Sequence, residues 1–344
     1  MSIRQISRPV CILGLGLIGG SLLRALKAQD VTVFGYNRSP SGAQAAAQDG
    51  YDASSDLVAT LTRAAEVDAL IVLSTPMPAI GALLDAIATY APECGFTDVV
   101  SVKERVYELV NARGLADRYV GSHPMAGTAE SGWGATRADL FQGAVWVITY
   151  DYALEHTPDA RWIGLWTDVA AMAGQVGSNL VPARVHQHDA AVARISHLPH
   201  LLAEALAITG DHGGALALSL AAGSFRDGTR VASTNPSLVR AMCETNAAAL
   251  RAALDETLSL LHDAREHLSG PDVNLEELID TGYRSRIRFE AHNQSPHSAD
   301  SSVHISPHPV FRVHPGGPNW INQLKQAEMI GANIEVVRGP STPV

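Results

Sequence analysis

Val10-Cys11-Ile12-Leu13 is a short apolar run that meets Gly14-Leu15-Gly16-Leu17-Ile18-Gly19 and then Ser21-Leu22-Leu23-Arg24-Ala25-Leu26-Lys27, where apolar residues recur at helical spacing. A strand, a tight glycine turn and a helix in immediate succession leave few folds open. The first glycine permits the turn, the second lets phosphates approach the backbone, and the third lets the helix lie close to the strand. A helix start also presents unsatisfied N–H groups and the positive end of its dipole. The turn from Gly14 to Gly19, with Leu15, Leu17 and Ile18, is therefore read as a dinucleotide-binding site. With Arg4 and Arg8 ahead of it the same segment has the outline of a secretory leader, but three glycines are costly in a leader helix and argue against one.

The next strand, Val31-Thr32-Val33-Phe34-Gly35-Tyr36, ends at Asn37-Arg38-Ser39. An NAD site commonly carries an acidic residue here to grip the ribose 2′-hydroxyl. A carboxylate would repel a 2′-phosphate, whereas a guanidinium pairs with it, so Asn37, Arg38 and Ser39 favour NADP while leaving NAD possible. The competing reading is an exposed arginine in a turn. Asp68 to Ser74 reads as a buried strand broken by Thr75-Pro76-Met77-Pro78, which brings Ser74, Thr75 and Pro76 to the edge where a doubly wound sheet opens its ligand crevice; the prolines serve equally as loop punctuation. A helix over 79–90 leads to a strand Asp98-Val99-Val100-Ser101-Val102. Ser101 at its end is a candidate donor beside a nicotinamide, and Lys103 is equally well an exposed residue starting a helix. Tyr119-Val120-Gly121-Ser122 then delivers His123, either a structural imidazole or a general base. All these strand ends share one sheet edge, which favours the functional reading.

Phe141 to Thr149 reads as the last strand of an α/β half spanning residues 1–155, a doubly wound, mostly parallel sheet. Beyond it, 161–175, 186–209, 211–223, 236–268 and 272–281 are rich in alanine and leucine at helical period, giving an all-α domain over 156–285. So apolar a helical domain is expected to pair with its own copy, making a homodimer. Two clusters within it are polar. Ser196-His197-Leu198-Pro199-His200 sets two histidines on one helical face, for substrate contact or for packing; with no acidic or cysteine partner nearby, no metal is expected. Gly223-Ser224-Phe225-Arg226-Asp227-Gly228-Thr229-Arg230 offers guanidinium groups to a carboxylate substrate, or a local Asp–Arg pair that finishes a helix.

Residues 286–344 read as a flexible linker rich in His, Ser, Asn and Pro, with His292, His297, His304 and His308, followed by a short strand-helix-strand too small to fold alone. At 344 residues and 46% hydrophobic content, the chain can fill two cores. Its net charge of −10, from 25 basic and 35 acidic residues, argues against a nucleic-acid surface, and no other stretch approaches a membrane span. Cys11, Cys94 and Cys243 are odd in number and widely spaced, as in a cytoplasmic protein.

Gly14 to Ser21, Ser101-Val102-Lys103, Ser122-His123-Pro124-Met125-Ala126-Gly127-Thr128, Ser196 to His200 and Gly223 to Arg230, taken in this order, resemble the prephenate/arogenate dehydrogenase family of tyrosine biosynthesis over about residues 8 to 285. The resemblance implies a Rossmann domain, a helical dimerisation domain and an NAD(P)-dependent oxidative decarboxylation. By analogy His123 accepts the proton of the substrate's ring hydroxyl and Ser101 hydrogen-bonds nearby. Arg230 would hold a carboxylate, oriented by Asp227, with Thr128, His197 and His200 lining the pocket. Ala129 stands where prephenate-specific members carry Glu, and Val239 where they carry an aromatic residue, which with Arg38 leans toward NADP and arogenate. The C-terminal piece weakly resembles half of an ACT-type regulatory module. β-Hydroxyacid dehydrogenases and imine reductases share the outline but place a catalytic lysine or aspartate in the helical half. A non-catalytic NADP-sensing regulator would not need both His123 and Arg230.

Overall fold

A computed structural model describes residues 5–128, 130–269, 273–293 and 309–337. The expected linker histidines His297, His304 and His308 and the specificity position Ala129 lie outside the described residues. Strands β1 (Val10–Leu13), β2 (Val33–Tyr36), β3 (Ala53–Ser54), β4 (Leu70–Leu73), β5 (Phe96–Asp98), β6 (Tyr119–Pro124), β7 (Val145–Ile148), β8 (Asn179–Pro182), β9 (Val310–Val313) and β10 (Asn333–Val336) form one sheet. Their order is β3-β2-β1-β4-β5-β6-β7-β8-β10-β9. The first six pair in parallel, β7 runs antiparallel to β6, and β8 lies parallel to β7. This is a Rossmann-like sheet whose chain reverses direction of travel between β1 and β4, so the exits of those two strands open a crevice. β1 and β4 are buried on both faces, which is why they read as unbroken apolar runs rather than alternating ones.

Helices α1 (Leu17–Lys27), α2 (Pro40–Gln48), α3 (Leu57–Glu66), α4 (Ile80–Tyr90) and α5 (Glu104–Asn111) provide the crossovers. Local caps set several starts: Ser39 Oγ accepts from Gly42 N–H, and Asp56 Oδ1 from Ala59 N–H at 2.9 Å. β5 is displaced from the expected 98–102. It ends at Asp98 because that carboxylate accepts the backbone N–H of Val100 at 2.9 Å, turning the chain away from the sheet.

After the short α6 (Asp151–Glu155), α7 (Ala160–Gln175) packs on the sheet rather than within the helical half where its periodicity had placed it. Its Trp162 and Trp166 are buried and donate through their indole N–H groups to the carbonyls of Tyr119 and Thr149, at 3.0 and 3.1 Å. Tryptophans so anchored couple a large apolar area to a fixed register. β8 follows, a strand that the alanine-rich surroundings concealed, and then α8 (Val185–Val192).

One compact unit gathers the described residues up to 189, 233–245 and from 311 onward. Its last elements are α12 (Pro236–Thr245) and the C-terminal β9, α15 (Trp320–Ile330) and β10, with Ile334 of β10 paired antiparallel to Leu180 of β8. Trp320 meets Trp166 edge to face at 5.5 Å, and Glu328 of α15 accepts the Tyr150 hydroxyl at 2.6 Å and the Arg184 N–H and Nε at 2.7 and 2.8 Å. The second unit gathers the described residues of 190–232 and 246–310, with α9 (Leu198–His212), α10 (Gly214–Leu220), α11 (Gly223–Thr229), α13 (Ala247–Ser269) and α14 (Glu276–Asn293). A π-helical turn, Ala193–His197, precedes α9; the extra residue accommodates Pro199, which has no N–H for the helical ladder. Leu216 and Leu220 of α10 are 72% and 73% exposed, an apolar face of the kind a partner chain covers. Among the described residues no helix is long and apolar enough to cross a membrane.

Asp151 accepts Val185 N–H at 2.9 Å, yet burial above all pushes its pKa up to about 6. The folded protein holds this proton more tightly than the unfolded chain. Its stabilising contribution is thus complete below the ordinary aspartate pKa of ~3.9 and is lost as pH rises through about 6. Asp151→Asn keeps the acceptor and removes the buried charge. Thermal melts should show the variant more stable than the parent at pH 8, by on the order of 2 kcal/mol, with the gap closing near pH 4.

Candidate active site

The exits of β1 and β4 meet where the glycine turn lies, with Ser74 N–H donating to Leu13 carbonyl at 2.8 Å. Gly14 has φ +111°, and a Cβ there would come within 2.3 Å of the Ser74 carbonyl. A Cβ on Gly19 would lie 1.9 Å from the Gly14 carbonyl, so the third glycine is required for the helix to reach the strand. Gly16 differs: a Cβ there meets nothing within 4 Å. Gly16 is also the N-cap of α1 and supplies no side-chain acceptor, so the N–H groups of the first turn, around Leu17 and Ile18, receive no side-chain cap from it. Beside the turn, Thr75 Oγ1 is buried with no hydrogen-bond partner among the described residues. An open backbone cradle at a helix start and a sequestered hydroxyl next to it fit a dinucleotide.

At the exit of β2, Asn37 folds back over Gly42, whose Cβ would lie 2.1 Å from the Asn37 amide nitrogen. Ser39 caps α2 and shares a 2.8 Å hydrogen bond with Ser41, whereas Arg38 is exposed. Ser74 is half-buried and Pro76 exposed at the exit of β4, and Leu15 is buried beneath the turn. Leu15 is therefore core rather than a cofactor contact through its side chain.

His123 sits at the end of β6, opposite Val147 of β7, and is half-buried. Its Nδ1 lies 2.9 Å from His188 Nε2, and His188 Nδ1 lies 2.7 Å from Asp189 Oδ1. Asp189 also accepts the backbone N–H groups of Lys103 and Glu104, both at 2.8 Å. Lys103 is fully buried: its ammonium pairs with Asp98 Oδ1 and donates to the Ser122 carbonyl at 2.7 Å, while Tyr119 donates to Asp98 Oδ2 at 2.5 Å. Burial draws the Lys103 pKa down against the pull of Asp98, and burial first, then Asp98, drives the Tyr119 phenol well up. Lys103 is therefore not a surface residue starting a helix; it ties β5 to β6 beneath His123. Ser101 lies half-buried in the turn between Asp98 and α5.

Thr128 is exposed and accepts Glu130 N–H at 3.3 Å. The remaining expected site residues belong to the second unit. His197 is buried with its Nδ1 3.1 Å from the Asn246 amide, and His200 Nδ1 donates to the Ser196 carbonyl at 2.9 Å. Asp227 lies on α11 and Arg230 follows directly after it; both are exposed, and Phe225 seats against Gly210 while Thr229 Oγ1 donates to the Phe225 carbonyl at 2.7 Å.

Two family models match in tandem: "Prephenate dehydrogenase, nucleotide-binding domain" over residues 22–172 and "Prephenate dehydrogenase, dimerization domain" over 184–281. The chain belongs to the prephenate dehydrogenase family. The cyclohexadienyl dehydrogenase of Zymomonas mobilis is 33% identical over 76% of this chain and 89% of its own length. A solved Corynebacterium glutamicum chain, described as a candidate prephenate dehydrogenase, is 60% identical with a TM-score of 0.91, covering 97% of this chain and all of that one. The A. aeolicus prephenate dehydrogenase, solved with hydroxyphenyl propionate and NAD+, is 25% identical with a TM-score of 0.70, over 82% of this chain and 97% of that one.

Four residues of the candidate site were given no role there from the sequence: Asp98, Lys103, His188 and Asp189. The signal for the last two was a His-Asp pair within a predicted helix, and for Lys103 its place in the Ser-Val-Lys run. The glycines yield a test. Gly16→Ala should melt within a few degrees of the parent but bind nicotinamide dinucleotide at least several-fold more weakly by calorimetric titration. Gly19→Ala, whose Cβ has no room, should lower the melting temperature by many degrees or prevent folding.

Proposed function

We propose that this chain is a prephenate/arogenate dehydrogenase in which His123 is the proton acceptor. The observation that carries the reading is His123 itself: half-buried at a strand exit, on the edge that also bears the glycine cradle, with its Nδ1 2.9 Å from His188 Nε2. An imidazole at such a place is the side chain suited to accept a proton near neutral pH. The nicotinamide, when bound, accepts the hydride that leaves the ring carbinol carbon. As the hydride departs, the hydroxyl proton passes to His123 and the carbon becomes a carbonyl. The bond to the ring carboxylate then breaks, carbon dioxide leaves, and the electron pair aromatises the ring while its oxygen recovers a proton. The leaving group needs no acid.

Ser101 is proposed to hydrogen-bond near the reacting hydroxyl. Gly14, Leu17, Ile18 and the backbone at Leu15, Gly16 and Gly19 would hold the pyrophosphate, with Ser74, Thr75 and Pro76 beside it. Arg230, oriented by Asp227, suits a substrate carboxylate, and Thr128, His197 and His200 suit the remaining polar groups. Exposed Arg38, with Asn37 and Ser39 and no carboxylate among them, favours NADP, although a relative binds NAD+. The Ala129 position leans toward arogenate. We further place the division of labour along the chain, with cofactor binding in residues 1–155 and homodimerisation through the helical part, of which the matched dimerization domain is a support. Three free thiols suit the cytoplasm.

Following nicotinamide reduction with NAD or NADP against prephenate or arogenate decides the matter; no turnover in any of the four pairings would sink the reading, and the fastest is expected with NADP and arogenate. His123→Asn should lower kcat by orders of magnitude with cofactor affinity nearly unchanged, while Arg230→Ala should chiefly raise the substrate KM. Arg38→Ala should raise the KM for NADP more than that for NAD.

A further inference from the structure

α8 carries His188 and Asp189 side by side, and both are buried. Burial works to raise the Asp189 pKa, but the hydrogen bonds from His188 and from the N–H groups of Lys103 and Glu104 outweigh it and leave the pKa below the ordinary range. Asp189 is therefore a carboxylate, able only to accept. His188 Nδ1 must then carry the proton in the 2.7 Å contact between them. Burial, only partly offset by Asp189, lowers the His188 pKa, so the ring is neutral and its Nε2 bears a lone pair. That nitrogen lies 2.9 Å from His123 Nδ1, and an acceptor there obliges His123 to be protonated at Nδ1. The basic nitrogen of His123 is accordingly Nε2. The other charges that bear on His188 are Lys103, which opposes a proton on it, and Asp98, which favours one.

We infer that His188 and Asp189 are positioning residues for the dehydrogenation: the chain Asp189–His188–His123 fixes the tautomer that makes Nε2 of His123 the base and disperses the positive charge that the ring acquires. Neither residue touches the reacting atoms; each acts through the next, as the third member of a nucleophile–base–orienter set does. The inference rests on the reading of His123 as the base, but the tautomer itself does not, and the two are separable by experiment.

Asp189→Asn presents an amide that can offer N–H toward His188, which reverses both tautomers and places the His123 proton on Nε2. In the full-length variant kcat should fall at least tenfold with substrate KM and cofactor affinity changed less than twofold. The acid limb of the kcat/KM profile should move to lower pH. ¹⁵N spectra of the His123 ring should pass from the Nδ1–H to the Nε2–H form. His188→Asn leaves Asp189 its backbone donors, guards against a folding failure of the first variant, and should reproduce the kcat loss and the displaced limb. A folded variant with parental kcat and acid limb, or a His123 ring already Nε2–H in the parent, overturns the inference. Absence of turnover in the parent with an Nδ1–H ring would instead overturn the functional reading and leave the relay standing.

Discussion

A fully buried ammonium, that of Lys103, is the point on which the active-site half of the sheet depends. It joins the Asp98 carboxylate of β5 to the Ser122 carbonyl of β6, while the backbone N–H of the same residue donates to Asp189. A charge taken out of water is tolerated only where such partners exist, and stranding either member of a buried pair typically costs about 3–5 kcal/mol. The arrangement is therefore nearly all-or-none. Ser122 also donates to the Asp98 carbonyl at 2.8 Å, so the residue immediately before His123 is pinned from two sides. The imidazole is aimed by a strand whose last residues have little freedom.

α8 completes that geometry and is itself braced from afar. The backbone N–H groups at its start go to carboxylates on two different helices: Arg184 to Glu328 of α15 and Val185 to Asp151 of α6. Acceptors at a helix start satisfy donors that the helix cannot, and here they also set the position of the two residues behind His123. The C-terminal strand-helix-strand is thus mechanically part of the first unit through Trp320 and Glu328, whatever further role it has.

Much of this was legible in the sequence. The glycine turn announced its own geometry because Gly14 and Gly19 are demanded by backbone contacts that no other residue survives, and His123 was marked by its place after an apolar strand. What stayed hidden depends on long-range pairing. Lys103 looks like any residue at a helix start until β5 and β6 are laid beside it, and nothing local links His188 to a histidine 65 positions earlier. α7 has the period of a free helix, and contacts such as its two tryptophans reaching the carbonyls of Tyr119 and Thr149 assign it to the sheet. β8 is short and flanked by helices, so its strand character comes from β7 and β10 rather than from propensity.

Adding β10 and β9 beyond β8 also alters how the molecule meets its neighbours in a crowded solution. A Rossmann-like sheet that stopped at β8 would present the unpaired amides and carbonyls of that strand to any passing chain. Instead β10 pairs with that strand at Ile334 and Leu180, and the rim passes to β9, four residues long, on which Arg312 pairs with Glu335 at 3.1 Å. Short, charged rims are poor templates for edge-to-edge pairing. The appended strands act as a selvedge, a finished border that keeps the weave from catching on another copy of itself.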